Sequence, residues 1–221
     1  MIKTSSLLDM RAHQPFENPK IAARYEDWYF TTGQKAAKQE KLLIKQLLHK
    51  YDRVQTILDI GGGTGYFCNW MRGMGYETFI FDRSRVMIRE AHRHYHPDCV
   101  QGDAMALPFP DQAFDLVVMI TTLEFIADPD QALSEAARVA REGMILGVIN
   151  QHSLLGCRYR RKDGPIWGAA RLFTPKGLLQ MVSGFAKGRD AIICKTTLWP
   201  LFSGASRLPW GGFIGLSVSF S

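Results

Sequence analysis

Asp59, Gly61, Gly63 and Gly65 lie in the run ILDIGGGTGYF, where a short apolar stretch gives way to a helical one, and they match D-x-G-x-G-x-G. Glycines at such a turn let the backbone approach a ligand closely, so the loop can cradle a polar group. Two common uses of glycine loops fail here. A dinucleotide fingerprint G-x-G-x-x-G requires a third glycine, but Tyr66 stands there in one frame and Cys68 in the other. A phosphate loop requires a following Gly-Lys-Ser/Thr, which is absent.

Two further carboxylates stand at later strand ends. Asp82 follows the run TFIF, where it can accept two hydrogen bonds from a ribose diol held in the neighbouring loop. Asp103 is placed to accept a bond from an exocyclic adenine amine, with Ala104, Met87 and Ile88 flanking the ring. Each Asp taken singly reads equally well as a helix cap. Together they point to a ligand with an adenine and a ribose but no required phosphate, which describes S-adenosylmethionine (SAM).

These residues need strands and helices in strict alternation to position them. Between Lys35 and Lys50, Leu43, Ile44, Leu47 and Leu48 form one face and Lys38, Lys41 and Lys45 another, which predicts an amphipathic helix. Strands are expected at Thr56 to Ile60, Thr78 to Phe81, weakly around Cys99 and Val100, and at Phe114 to Ile120 and Met144 to Ile149. Helices are expected from Tyr66 to Met74, from a Ser84 cap to His94, from Asp130 to Arg141, and from a Thr174 cap to Gly184. Two last strands are read at Ala191 to Leu198 and Phe213 to Phe220. Such alternation implies right-handed crossovers, a parallel sheet and ligand binding at the carboxyl ends of the strands.

The 221 residues suit one α/β domain, and 46% hydrophobic with 22% charged residues is a folded-protein composition. The first residues carry Lys3, Asp9 and Arg11 without an apolar run, and no later run is long enough for a membrane span, so a cytoplasmic protein is expected. Cys68, Cys99, Cys157 and Cys194 stand apart without a C-x-x-C pair and are read as reduced thiols. The net charge of +6 is spread along the chain. Its densest part, Arg158, Arg160, Arg161 and Lys162 around Tyr159, reads as a solvated loop or helix end, with an anionic substrate or surface as the other reading.

With these motifs the sequence resembles the class I SAM-dependent methyltransferases, in the branch of the ubiquinone and menaquinone biosynthesis enzymes and related small-molecule methyltransferases. The resemblance runs from about Tyr25 to Phe185 through ILDIGGGTGYF, FDRSRVMI, GDAMALPFPDQAFDLVV, TTLEFIADPDQALSEAARV and RLFTPKGLLQMV. It implies a Rossmann-like, seven-stranded, mostly parallel sheet with helices on both faces and the last strand antiparallel. One domain would span 1–221, with 1–50 as N-terminal lid helices and about 152–172 as an acceptor-side insertion.

By the same resemblance Gly61, Gly63 and Gly65 line the methionine part of SAM and Asp59 supports it. Asp82, with Arg83 beside it, binds the ribose, Asp103 with Ala104 and Met87 holds the adenine, and Thr121 closes the pocket with Thr122 and Leu123. Tyr25, in YEDWYFTTG, is the lid aromatic. Two positions depart from the pattern: Glu142-Gly143 replaces a Gly-Gly pair before the fifth strand, and Phe125 stands where a histidine is common.

Methyl transfer from a sulfonium is an in-line displacement, so alignment and exclusion of water are the protein's main contributions. If the acceptor must lose a proton, Glu124, His152 and Tyr159 are candidates by position. His92 and His96 share a helix face, but with no third ligand on it a metal is not expected. The Asp/Asn-Pro-Pro-Tyr/Phe and Pro-Cys signatures of DNA methyltransferases are absent, which disfavours nucleic acid. A small-molecule acceptor, lipophilic or anionic, suits the mixture of Leu154, Leu155, Tyr159, Ile166 and Trp167 with arginines. A SAM-binding regulatory or scaffold protein without transferase activity stays open beside the enzyme, as does an aminopropyltransferase.

Overall fold

The computed structural model describes residues 14–161, 164, 166–188, 191–198 and 204–220. Lys162 and Asp163 of the basic run, and the first thirteen residues of the expected lid region, lie outside them. After a 3-10 turn at Gln14–Glu17 come α1 (Pro19–Phe30), α2 (Gln34–Leu48), β1 (Thr56–Ile60), α3 (Tyr66–Arg72), β2 (Glu77–Asp82), α4 (Arg85–Tyr95) and β3 (Asp98–Gln101). Then follow β4 (Phe114–Ile120), a 3-10 turn at Leu123–Phe125, α5 (Pro129–Val139), β5 (Ala140–Ile149), α6 (Leu154–Arg160), α7 (Pro175–Val182), β6 (Ile192–Thr197) and β7 (Phe213–Ser219).

The seven strands form one sheet in the order β3-β2-β1-β4-β5-β7-β6. All pairs are parallel except those of β7 with β5 and β6. The chain therefore switches direction of progress between β1 and β4, and the crevice at their carboxyl ends is where such sheets bind ligands.

Alternation along the fully buried strands builds a core on each face. Val117 and Met119 of β4 join Leu58, Met144, Leu146 and Val218 under α5 and α7, while Leu116, Val118 and Ile120 join Ile57 and Ile145 under α2 and α3. α2 lies flat on its face because Gly215 of β7 has no side chain: a β-carbon there would stand 2.8 Å from Leu43. The helices start where their caps lie. Ser84 Oγ accepts from Met87 N, Asp128 from Gln131 N, Ser153 from Gly156 N and Thr174 from Gly177 N.

Two sequence expectations change. The helix read as reaching Arg141 ends at Val139, and the next strand begins at Ala140, so Glu142-Gly143 lies inside β5 and is not a turn before it. The reason is long-range: a β-carbon on Gly143 would fall 2.2 Å from the Val218 carbonyl oxygen and 2.7 Å from the Tyr51 hydroxyl. That hydroxyl donates to Val218 O and pairs with Ser217 Oγ, each at 2.9 Å, fastening the entry to β1 against β7. Arg158 and Arg160 belong to the last turn of a helix, α6.

Gly143→Ala is expected to destabilise the protein by about 2 kcal/mol or more, because the intruding methyl must part β5 from β7. Tyr51→Phe, which removes the hydroxyl and keeps the ring, should cost about 1 kcal/mol. Urea unfolding midpoints would check the order; a larger loss in Tyr51→Phe would contradict it.

Candidate active site

β1 delivers Asp59 and Ile60 to a loop whose backbone only glycine tolerates. Gly61 has φ +71°, and a β-carbon on it would lie 2.1 Å from the Thr122 side chain, which packs over it from the end of β4. Its N–H donates to Phe81 O at 2.6 Å, so the loop is held between β2 and the β4 turn. Gly63 has φ +55°, a β-carbon on it would meet only the Gly61 carbonyl oxygen at 3.9 Å, and its backbone lines the cleft. Gly65 is different. At φ +86° it caps α3 and packs against Ile80 and Tyr95, so it shapes the turn without lining the cleft.

Asp82 ends β2 beside this loop. One carboxylate oxygen accepts from Gly63 N at 2.8 Å and the other from Ser84 N at 2.7 Å. Each oxygen keeps a second lone pair, so the carboxylate organises the loop and can still accept from a ligand diol. Burial raises it to about 6, against the lowering effect of the Ser84 and Gly63 backbone bonds. Asp59 is 2% exposed, and its Oδ2 has no protein partner among the described residues. Burial, with the charge of Asp82 added, pushes it up to about 8.

Asp103 lies on the same cleft, accepting from Met105 N at 3.0 Å, with Arg83 Nη1 at 3.7 Å. Ala104, Met87 and Arg83 line the wall next to it. Thr121 holds a left-handed backbone at φ +51°, fixed by its N–H to Gly147 O at 2.7 Å, and faces the opening. Of the sequence-derived cofactor residues, Asp59, Gly61, Gly63, Asp82, Arg83, Met87, Asp103, Ala104, Thr121 and Tyr25 thus share one cleft.

The roof comes from the N-terminal elements. Tyr25 and Tyr29 of α1 face the cleft, with Phe16 and Glu17 of the preceding turn beside them. Phe16 packs edge-on against Tyr25 and Phe125, with ring centroids 6.2 Å and 4.9 Å away, and its carbonyl accepts from Ser84 Oγ at 2.8 Å. Glu26, 3% exposed, accepts from both Thr64 in the glycine loop and Tyr95 at the end of α4. Phe16, Glu17 and Glu26 were not singled out from sequence. An acid on the apolar side of YEDWYF was the one available signal for Glu26, and Phe16 had none.

The three candidate bases separate. Glu124 is 1% exposed; its Oε1 accepts from Ile149 N at 2.7 Å, its carbonyl from Arg171 N at 2.8 Å, and its Oε2 has no protein partner among the described residues. Burial raises it to about 8. It lies behind the cleft wall, bracing β5 and the segment after α6. Tyr159 stacks on Trp167 with centroids 4.0 Å apart, and His152 is exposed; neither lines the cleft. Phe125, the replacement for the family's histidine, does line it.

Residues 58–147 match the model of a methyltransferase domain. The chain is 35% identical over 104 residues to a ubiquinone/menaquinone biosynthesis C-methyltransferase of Roseobacter denitrificans, covering 43% of this chain and 42% of that one. It is 37% identical over 90 residues to a malonyl-[acyl-carrier protein] O-methyltransferase of Erwinia billingiae, covering 40% and 36%. The aligned part thus spans about two fifths of these curated relatives. Across nearly the whole length, the fold superposes on a SAM-dependent methyltransferase from Thermotoga maritima with TM-score 0.77 at 24% identity, covering 92% and 97%.

Asp82→Ala is expected to weaken binding of SAM, read by calorimetry, by at least ~1.5 kcal/mol, since charged hydrogen bonds to a diol would be lost. Unchanged affinity would remove Asp82 from the ribose site. Asp59 allows a signed test. Its folded value lies above the unfolded one, so the folded state keeps a proton that the unfolded chain releases, and stability of the free protein falls as pH rises from about 4 to about 8. Asp59→Asn should flatten that decline, its melting temperature gaining on wild type progressively across this window. A constant difference at all pH values would refute the assignment.

Proposed function

We propose that this chain, which belongs to the class I SAM-dependent methyltransferases, moves the methyl group of SAM by in-line displacement to a small-molecule acceptor bound under the aromatic roof. The observation that carries the reading is the convergence of Asp59, Gly63, Asp82 and Asp103 on one cleft at the carboxyl ends of β1, β2 and β3.

The residues present fit SAM. Gly63 offers bare backbone where a β-carbon would intrude on a ligand, the free Oδ2 of Asp59 wants a donor such as an amino-acid ammonium, and Asp82 has lone pairs for a diol. SAM supplies an electrophilic methyl on a cationic sulfur. The chain's own part is positioning and dryness: the glycine loop and Asp82 hold the cofactor side, while Phe16, Tyr25, Tyr29 and Phe125 close over it and exclude water.

The acceptor is inferred from the cleft's shape and walls. The two curated relatives are named for methylation at carbon and at oxygen, so their names do not agree on the atom. An aromatic roof favours a small, largely apolar molecule with one polar end near Thr121 and Tyr25. The segment after β5, with α6 and Trp167, would contribute the acceptor side. Tyr25 is held protonated by burial, and Glu124 is placed to brace the site behind its wall. Acceptors that react without a buried base, such as phenolates, thiolates, neutral amines or activated carbanions, suit this arrangement.

The test is transfer from labelled SAM to pooled metabolites fractionated by polarity. Acceptor-dependent label incorporation, with S-adenosylhomocysteine released in equal amount over many turnovers, is expected in apolar, low-mass fractions. Tight cofactor binding without turnover in any fraction would instead favour a regulatory or scaffold protein.

A further inference from the structure

Among the described residues, neither the chain from Asn150 to Arg161 nor that from Gly204 to Gly212 lines the cofactor cleft, and the composition of both connections is unusual. Residues 198–212 read LWPLFSGASRLPWGG, with two tryptophans, three leucines, a phenylalanine and no acid. Residues 150–162 read NQHSLLGCRYRRK, again without an acid. Connections at a sheet edge are ordinarily polar.

Within the described residues the two segments are fastened together by one side chain. Asn150, fully buried, donates through Nδ2 to Pro209 O at 2.7 Å and to Gly211 O at 2.8 Å, clamping the backbone on both sides of Trp210. Its own carbonyl accepts from Ser153 Oγ at 2.7 Å, the residue that caps α6 just before Leu154. Thr196 and Ser206 exchange backbone bonds at the base of the loop, and Thr196 Oγ1 donates to Leu208 O at 2.6 Å. Backbone held this firmly usually folds its apolar side chains inward. Here Leu154 is 73%, Trp210 60% and Leu208 48% exposed. Arg158, Arg161 and Arg207 are exposed on the same two segments.

We propose that Leu154, Leu208 and Trp210, with the exposed Arg158, Arg161 and Arg207 of the same two segments, form a rigid surface that seats on an anionic lipid bilayer. Tryptophan and leucine on short clamped turns enter the headgroup boundary, and arginines take the lipid phosphates. An acidic protein would satisfy the arginines alone, whereas Leu154, 73% exposed, and Trp210, 60% exposed, also call for an apolar medium. Asn150 directly follows β5, so the surface lies at the end of the sheet where the cleft opens. A methyl acceptor dissolved in the bilayer would be met there. The inference stands on this surface and does not depend on the acceptor's identity.

Vesicle co-sedimentation tests it. The full chain should partition onto vesicles containing phosphatidylglycerol at least about tenfold more strongly than onto pure phosphatidylcholine, and high salt should weaken the difference. Leu154→Ser, Leu208→Ser and Trp210→Ser combined should lower binding at least about tenfold. Arg158→Gln, Arg161→Gln and Arg207→Gln combined should remove the preference for anionic lipid. Affinity for S-adenosylhomocysteine, measured on the same preparations, should be unchanged; Trp210→Ser alone replaces the triple variant if the latter does not fold. Three results would overturn the proposal: no sedimentation with either vesicle, serine variants that bind like wild type, or binding to polyglutamate as tight as to vesicles and insensitive to Trp210→Ser, which would mark a site for an acidic protein.

Discussion

The Asp82 carboxylate, half-buried at the end of β2, takes one hydrogen bond from Gly63 N and one from Ser84 N. Those two donors belong to the loop that leaves β1 and to the cap that starts α4, so one side chain sets the relation between the two crossovers that flank the cleft. Ser84 extends the chain of dependence, because its hydroxyl accepts from Met87 N and donates to Phe16 O, bringing the roof into the same network. Burial works against this arrangement by raising Asp82 to about 6, and the backbone N–H donors work for it. The carboxylate is thus ionised at neutral pH, in the form that accepts bonds from loop and ligand together.

The fold was largely legible because its signals are local. The apolar runs of β1, β4 and β5 needed no partner to be recognised, and Ser84 and Thr174 announced their helices by capping chemistry alone. The start of β5 was not legible, since Gly143 is needed by the Val218 carbonyl and by Tyr51, residues far away in the chain. The site divides in the same way. Asp59, Gly61, Gly63 and Asp82 follow from strand ends and backbone conformation. Gly65 matches the same motif but serves the turn, a distinction set by Ile80 and Tyr95 packing against it.

The roof illustrates the limit best. Nothing in the spacing around Phe16 or Glu26 points to the cleft, yet Glu26 joins Thr64 in the glycine loop to Tyr95 on α4 across the body of α1. Tyr29 stacks on Tyr66 with centroids 3.9 Å apart, and Lys41 of α2 lies over Tyr66 at 3.6 Å. The position of α1 is therefore specified by contacts with the glycine loop, α3 and α4. α1 is thus held chiefly by side-chain bonds and stacked rings, and not by a sheet.

Burial also leaves several acids reluctant to ionise. Asp59 and Glu124 are raised to about 8, Glu40 to about 7 and Asp82 to about 6, all chiefly by burial, within the cleft or behind its walls. Lys41, on the outer side of Tyr66, is itself lowered to about 8 by burial. Folding thus gathers acids whose charge is poorly solvated. A cation entering the cleft stabilises those carboxylates in their charged form, and a neutral molecule of the same shape does so less. In the proposed reaction the cofactor arrives with a positive sulfur and leaves with a neutral one. The arrangement therefore favours the reactant over the product it must release, and it does so with residues that never touch the methyl group.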